Sequence, residues 1–178
     1  MAKHIRLNIA DIYITPLDKE KNKTDCELEL LRQIFGREVV LSHDCSGKPT
    51  INIEGKYISI SHSNDWLAIA ISNQPIGIDI EQLHERLQRV KHMFLNSSEL
   101  EQLQPLTLRK LAICWSAKEA IYKIANDIAG ALGENIQLDI KQIKCGSNEF
   151  SAIIKNKCYS LEIVDVNDIY EVILAWEY

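Results

Sequence analysis

No run of apolar residues in this chain approaches the ~20 that a membrane-spanning helix needs. The opening Met-Ala-Lys-His-Ile-Arg has none of the apolar core of a signal peptide. No strongly basic stripe offers a footprint for nucleic acid, and the net charge is −5. Any CxxC pair is missing too. The cysteines at Cys26, Cys45, Cys114, Cys145 and Cys158 are odd in number and scattered, a pattern that suits reduced thiols rather than a disulfide framework. These absences lead to the expectation of a soluble cytoplasmic protein with neither membrane nor nucleic acid as its partner. The 178 residues, 46% hydrophobic and 25% charged, suffice for one domain or two small, tightly packed halves.

What the sequence does have is concentrated first in the stretch 76–81, Ile-Gly-Ile-Asp-Ile-Glu. Strand side chains alternate between faces, so Asp79 and Glu81 leave one face together, roughly 7 Å apart along the strand, while Ile76, Ile78 and Ile80 leave the other. Two carboxylates so placed repel unless both are solvated or a cation lies between them. An acidic end to a strand is also an ordinary surface feature, and this stretch alone does not decide between the two.

Before it, residues 4–14 alternate as a first strand, bent near Asp11. Lys19, Lys21 and Lys23 form a basic loop. A helix capped by Thr24 or Asp25 runs to about Phe35, stopped by Gly36. The turn Ser46-Gly47-Lys48-Pro49 leads into a hairpin of 50–53 with 57–61, where isoleucines alternate with hydroxyls up to Ser61-His62-Ser63. A further strand covers 66–72. After 81 the pattern becomes helical: 83–90, then a short helix from Ser97 or Ser98 with Glu101 near capping-box spacing, then a long helix from Thr107 to about Asn126. Gly130 and Gly133 end the helical region. Strand-like segments follow at 137–140, 149–154, 159–164 and 169–176. The order predicts an α+β fold, divided near Gln74 into halves 1–74 and 75–178.

The long helix carries Trp115-Ser116-Ala117-Lys118-Glu119-Ala120-Ile121-Tyr122-Lys123. Glu119 and Lys123 have the spacing of a surface helix pair. Equally, Glu119 is a third carboxylate, with Lys118 and Lys123 available to phosphates. Two carboxylates from a strand and one from a helix suit a hard, oxygen-seeking cation such as Mg²⁺. No His or Cys lies at zinc-ligand spacing.

Taken in order, Gly47-Lys48-Pro49, Ile60-Ser61-His62-Ser63, Gly77-Ile78-Asp79-Ile80-Glu81 and Trp115-Ser116-Ala117-Lys118-Glu119-Ala120 with Lys123 resemble the 4′-phosphopantetheinyl transferases. The likeness is to the larger two-halved type, that of the surfactin-synthetase activator, and it spans residues 47–123. The segment Met93-Phe94-Leu95-Asn96-Ser97-Ser98-Glu99-Leu100 resembles the family's aromatic stretch before a helix start. The resemblance implies two similar α/β halves about a pseudo-twofold, with coenzyme A in the cleft between them. It places Asp79, Glu81 and Glu119 at the Mg²⁺ positions. It puts Lys48, Ser61 and His62 with the nucleotide phosphates, and Lys118 and Lys123 near the pyrophosphate. Glu119 and Lys123 take the catalytic roles. The implied reaction moves the phosphopantetheine arm from coenzyme A to a serine of an apo carrier protein, acyl or peptidyl, releasing 3′,5′-ADP. A monomer is expected, since two halves in one chain can build the cleft.

The pattern departs from the family at Glu27 and Glu29, where a more basic helix is usual, and at Gly130-Ala131-Leu132, where a Gly-Leu pair comes sooner. Two other readings remain open. One is a homologue that binds coenzyme A or a carrier without turnover. The other is a Mg²⁺-dependent phosphohydrolase using the same acidic trio.

Overall fold

Period-two alternation of large and small or polar residues gives each sheet two unlike faces, and stacking those faces produces the architecture. The computed structural model describes residues 2–129, 135–164 and 169–178. Its elements are β1 (Lys3–Arg6), β2 (Ala10–Pro16), α1 (Lys23–Phe35), β3 (Leu41–His43), β4 (Pro49–Ile51), β5 (Tyr57–Ser63) and β6 (Trp66–Ser72). There follow β7 (Ile76–Gln82), α2 (Arg86–Phe94), α3 (Ser97–Gln102), α4 (Leu108–Ala129), β8 (Ile136–Leu138), α5 (Ile140–Lys144), β9 (Glu149–Ile154), β10 (Lys157–Val164) and β11 (Tyr170–Glu177). One antiparallel sheet has the order β1-β2-β6-β5 and the other β7-β11-β10-β9-β8; β3 and β4 pair separately.

The layers run α1, first sheet, second sheet, α4. Leu67, Ile69 and Ile71 of β6 face α1, where they pack with Leu30 and Leu31. The alternate residues Ala68 and Ala70 face the second sheet, and being small they let Ile78, Ile80, Val172 and Leu174 pack closely against Ile12 and Ile14. On its far side the second sheet meets α4, with Ile173 and Ala175 against Ala117, Ala120 and Ile121. The mixed helix and sheet content is that of the α+β class expected from the sequence.

Residues 4–14 make a hairpin rather than one bent strand. Leu7 N–H donates to Ala10 C=O at 2.9 Å and β1 folds back on β2. No glycine or proline marks that turn, so the periodicity reads straight through it. The strand at 49–51 pairs with β3, not with β5. Helix α1 is capped by Asn22, whose side chain accepts from Asp25 N–H, and ends at Gly36 with φ 94°. Helix α3 is capped by Asn96 in a capping box with Glu99, two residues before the expected Glu101. Segment 140–144, expected in part as strand, begins the short helix α5. Gly130, Gly133 and the Gly130-Ala131-Leu132 departure lie outside the described residues.

Two features bring the chemistry-bearing residues together. At Gly77 a Cβ would collide with the Ala120 carbonyl of α4, so only glycine lets the helix settle this close to β7. Gly77, Asp79 and Glu81 share the face turned toward α4. Meanwhile β5 and β7, the edge strands of the two sheets, meet side by side. Ser59, Ser61 and Ser63 of β5 accept from the backbone N–H groups of Ile78, Ile80 and Gln82 at 3.0, 3.4 and 3.1 Å. An exposed edge would leave those donors unpaired and open to a foreign strand. Three hydroxyls at two-residue spacing close it.

Candidate active site

Asp79 is 6% exposed at the middle of β7, and its Oδ1 is held from two directions. Ser61 Oγ donates to it at 2.7 Å and Lys123 Nζ at 3.0 Å. Lys123 Nζ also donates to the Ile78 carbonyl at 2.7 Å, so one ammonium ties α4 to β7. Oδ2 of Asp79 is buried and has no hydrogen-bond partner among the described residues, although a buried carboxylate oxygen left unpaired is costly. Two residues on, buried Glu81 is met by Arg86 from the first turn of α2, with Nη2 3.2 and 3.4 Å from its two oxygens.

Glu119 faces the same space from α4. Burial pushes its carboxyl above the usual range, and Asp79 adds to the rise while Lys123 opposes it. Glu81 is likewise pushed up by burial, against the pull of Arg86, with Asp79 and Glu119 both contributing. Glu81 therefore senses both Asp79 and Glu119, and Glu119 senses Asp79.

Among the described residues, no three His, Cys, Asp or Glu side chains already converge as a metal cage. The donors nevertheless fit a hard divalent cation. They are all oxygens, they repel one another, and Asp79 Oδ2 is vacant. Mg²⁺ in particular takes only one or two carboxylates and completes its shell with water and substrate phosphates, so a preformed cage is not required.

Lys118 stands apart. It is fully buried on a different face of α4, where Nζ donates to Glu99 Oε2 at 2.7 Å. Consecutive helical residues point about 100° apart, whereas Glu119 and Lys123, four apart, share a face. The expected phosphate contact from Lys118 is therefore replaced by a structural one. Glu99 is a hub: it closes the α3 capping box and accepts from Leu138 N–H of β8 at 3.2 Å.

Lys48 and His62 lie with Lys123 around a cleft of about 1060 Å³ bounded by the β3–β4 turn, β5 and the end of α4. That is at the large end for ligand sites. Lys48 Nζ donates to the Ile124 carbonyl at 2.7 Å, just before Ala125, where the backbone of α4 leaves helical geometry. His62 Nε2 is 2.9 Å from Glu27 Oε1, off the axis a hydrogen bond needs. The acidic departure in α1 thus sits against a residue expected to meet phosphate. Ser61 lies behind the cleft wall, on Asp79. His62, Glu81 and Arg86 also line a smaller cleft of about 340 Å³.

Two contacts had escaped the sequence reading. Arg86, which with Arg89 and Lys91 the sequence offers as a basic face for an acidic carrier helix, meets Glu81 instead. Glu171, buried on β11, stands opposite Glu81 in register and is taken by Arg109 Nε at 2.7 Å. Its signal was a lone acid within an apolar strand.

An acidic strand face met by a Glu–Lys pair from a helix thus stands beside a large cleft lined by lysine and histidine. A model of the 4′-phosphopantetheinyl transferase superfamily matches residues 75–171, and the chain belongs to that superfamily. It is 29% identical over 112 residues to the 4′-phosphopantetheinyl transferase gsp of Aneurinibacillus migulanus, covering 61% of this chain and 44% of that protein. It is 29% identical over 109 residues to the 4′-phosphopantetheinyl transferase Sfp of Bacillus subtilis strain 168, covering 51% and 49%. The matches thus span less than half the length of these curated relatives.

Proposed function

We propose that this protein transfers the 4′-phosphopantetheine arm of coenzyme A to a serine hydroxyl of an apo carrier protein. The observation that carries this reading is the double position of Lys123: its side chain lines the large cleft while its ammonium holds Asp79 of the acidic group. A phosphate entering the cleft next to Lys123 would come up against those carboxylates.

In this reading Lys48, His62 and Lys123 bind the phosphates, and Ser61 fixes Asp79 rather than touching the nucleotide. Asp79, Glu81 and Glu119 would hold Mg²⁺. When bound, the cation would neutralise charge developing on the leaving phosphate. Glu119 receives the proton of the carrier serine, directly or through a water, as the serine oxygen bonds to the pantetheine-side phosphorus. The bond from that phosphorus to the bridging oxygen breaks, and 3′,5′-ADP leaves.

The two sheet-and-helix units, 1–74 and 75–178, are read as similar halves about a pseudo-twofold. Both line the cleft, so one chain builds it as a monomer; the protein is read as cytoplasmic. Sedimentation is expected to give the mass of one chain; an obligate trimer would refute this.

Incubating the protein with coenzyme A, Mg²⁺ and a panel of apo carriers is expected to add the arm's mass to one or more carriers and release 3′,5′-ADP. Coenzyme A binding with no turnover on any carrier would instead indicate a binding homologue. Free phosphopantetheine would indicate a hydrolase. Among the described residues no helix is long and apolar enough to cross a membrane.

A further inference from the structure

The start of α2 is an unfavourable place for a cation. The first turn of a helix presents unpaired N–H groups and the positive end of the helix dipole. Helix α2 has Glu85 at its N-cap, making no capping hydrogen bond with its side chain, and no acidic residue in its first turn, where it places Arg86. Local hydrogen bonds hold the segment in place: Arg86 N–H donates to the His84 ring at Nδ1, 3.0 Å away, and Leu83 N–H to the Ile169 carbonyl at 2.8 Å. What offsets the cost is Glu81, both of whose oxygens the guanidinium reaches. Arg86 itself is half-exposed, and it lines the small cleft that Glu81 also faces.

We propose that Arg86 is a built-in competitor of the divalent cation, holding Glu81 in the free protein so that the cation enters only together with the phosphates of the co-substrate. The inference rests on the reading of Asp79, Glu81 and Glu119 as cation-holding residues. Its logic is electrostatic. A guanidinium on Glu81 neutralises one of the three mutually repelling carboxylates and repels a divalent ion at the same place. Lys123 does the same on Asp79 Oδ1, leaving Oδ2 as the sole unsatisfied oxygen of that group. A bare cation therefore meets two resident positive charges. A cation arriving on a pyrophosphate brings anions that can take up Arg86 and Lys123 as they are released. Metal and co-substrate affinity are then linked: each raises the other by the same factor.

The test uses Mn²⁺ binding to the free protein, read by its paramagnetic resonance signal, with and without inorganic pyrophosphate. Wild type is expected to bind Mn²⁺ weakly alone and much more tightly with pyrophosphate. Arg86→Gln is expected to bind Mn²⁺ alone about tenfold more tightly or better, a low figure for removing a unit charge beside a divalent ion, and to gain less from pyrophosphate. Arg86→Lys keeps the charge and should stay close to wild type. An Arg86→Gln protein whose Mn²⁺ affinity is unchanged or weaker overturns the inference while leaving the metal reading standing. If neither protein binds Mn²⁺ under any condition, both fall together.

Discussion

Glu119→Gln is expected to lower kcat by about 10²-fold or more, the scale for a lost general base, while coenzyme A binding largely persists. The substitution keeps the shape and one oxygen but removes charge and basicity. Glu119 is the one member of the trio that comes from a helix, and no resident hydrogen-bond donor holds it as Ser61 and Lys123 hold Asp79 or Arg86 holds Glu81 among the contacts described. Burial and Asp79 raise its proton affinity, which suits a group that must take a proton. Asp79→Asn and Glu81→Gln should behave differently, weakening turnover and Mg²⁺ dependence together. The experiment is kcat and coenzyme A affinity for the three variants across a Mg²⁺ titration. Near-normal kcat for Glu119→Gln at saturating Mg²⁺ would leave Glu119 as half of a surface helix pair.

The second large effect concerns folding. Glu99→Ala is expected to destabilise the protein by about 3–5 kcal/mol, the range for breaking a buried ion pair on one side. The carboxylate accepts from Lys118, from Leu138 N–H and from Asn96 N–H, so its loss strands donors from α4, β8 and the start of α3 at once. Lys118 then keeps a buried ammonium without that partner. Burial already lowers the proton affinity of Lys118, and Glu99 opposes the fall. Without Glu99 the folded-state value drops further below the unfolded one. Between those two values the unfolded chain binds more protons, so stability of the variant rises with pH. The deficit relative to wild type should therefore narrow as pH climbs toward the ordinary lysine range. Denaturant melts of both proteins at several pH values measure this. A deficit below 1 kcal/mol that is flat with pH would remove Glu99 from its central position.

The face of 76–81 that carries the carboxylates was legible because strand alternation is a strict rule and the isoleucines mark the other side unambiguously. The same rule gave the hydroxyl face of β5. Lys118 was assigned alongside Lys123 by motif, and a shared motif does not give a shared helix face: in the fold its ammonium meets Glu99. Asn96-Ser97-Ser98-Glu99 held the true capping box, but a serine start drew attention one position on. The β1–β2 turn has Asn8 but neither glycine nor proline, and the apolar residues on either side drew the period through it. Strands β3 and β4, three residues each, are too short for a period to register. The Arg86–Glu81 contact depends on a loop conformation, which no periodicity encodes. The opposition of Glu171 to Glu81 depends on strand register, and single-strand patterns do not carry that.

Ser61 carries a double duty with a consequence for how tolerant the molecule is of error. Its hydroxyl accepts the Ile80 N–H across the junction of the sheets and donates to Asp79 beside it. The serines recur at every second residue, so a slip of one residue would set Ile60 or His62 where Ser61 stands. The Ile80 N–H would lose its hydroxyl, and Asp79 would keep Lys123 as its donor but lose Ser61. An error of register between the sheets is therefore also an error at the acidic group.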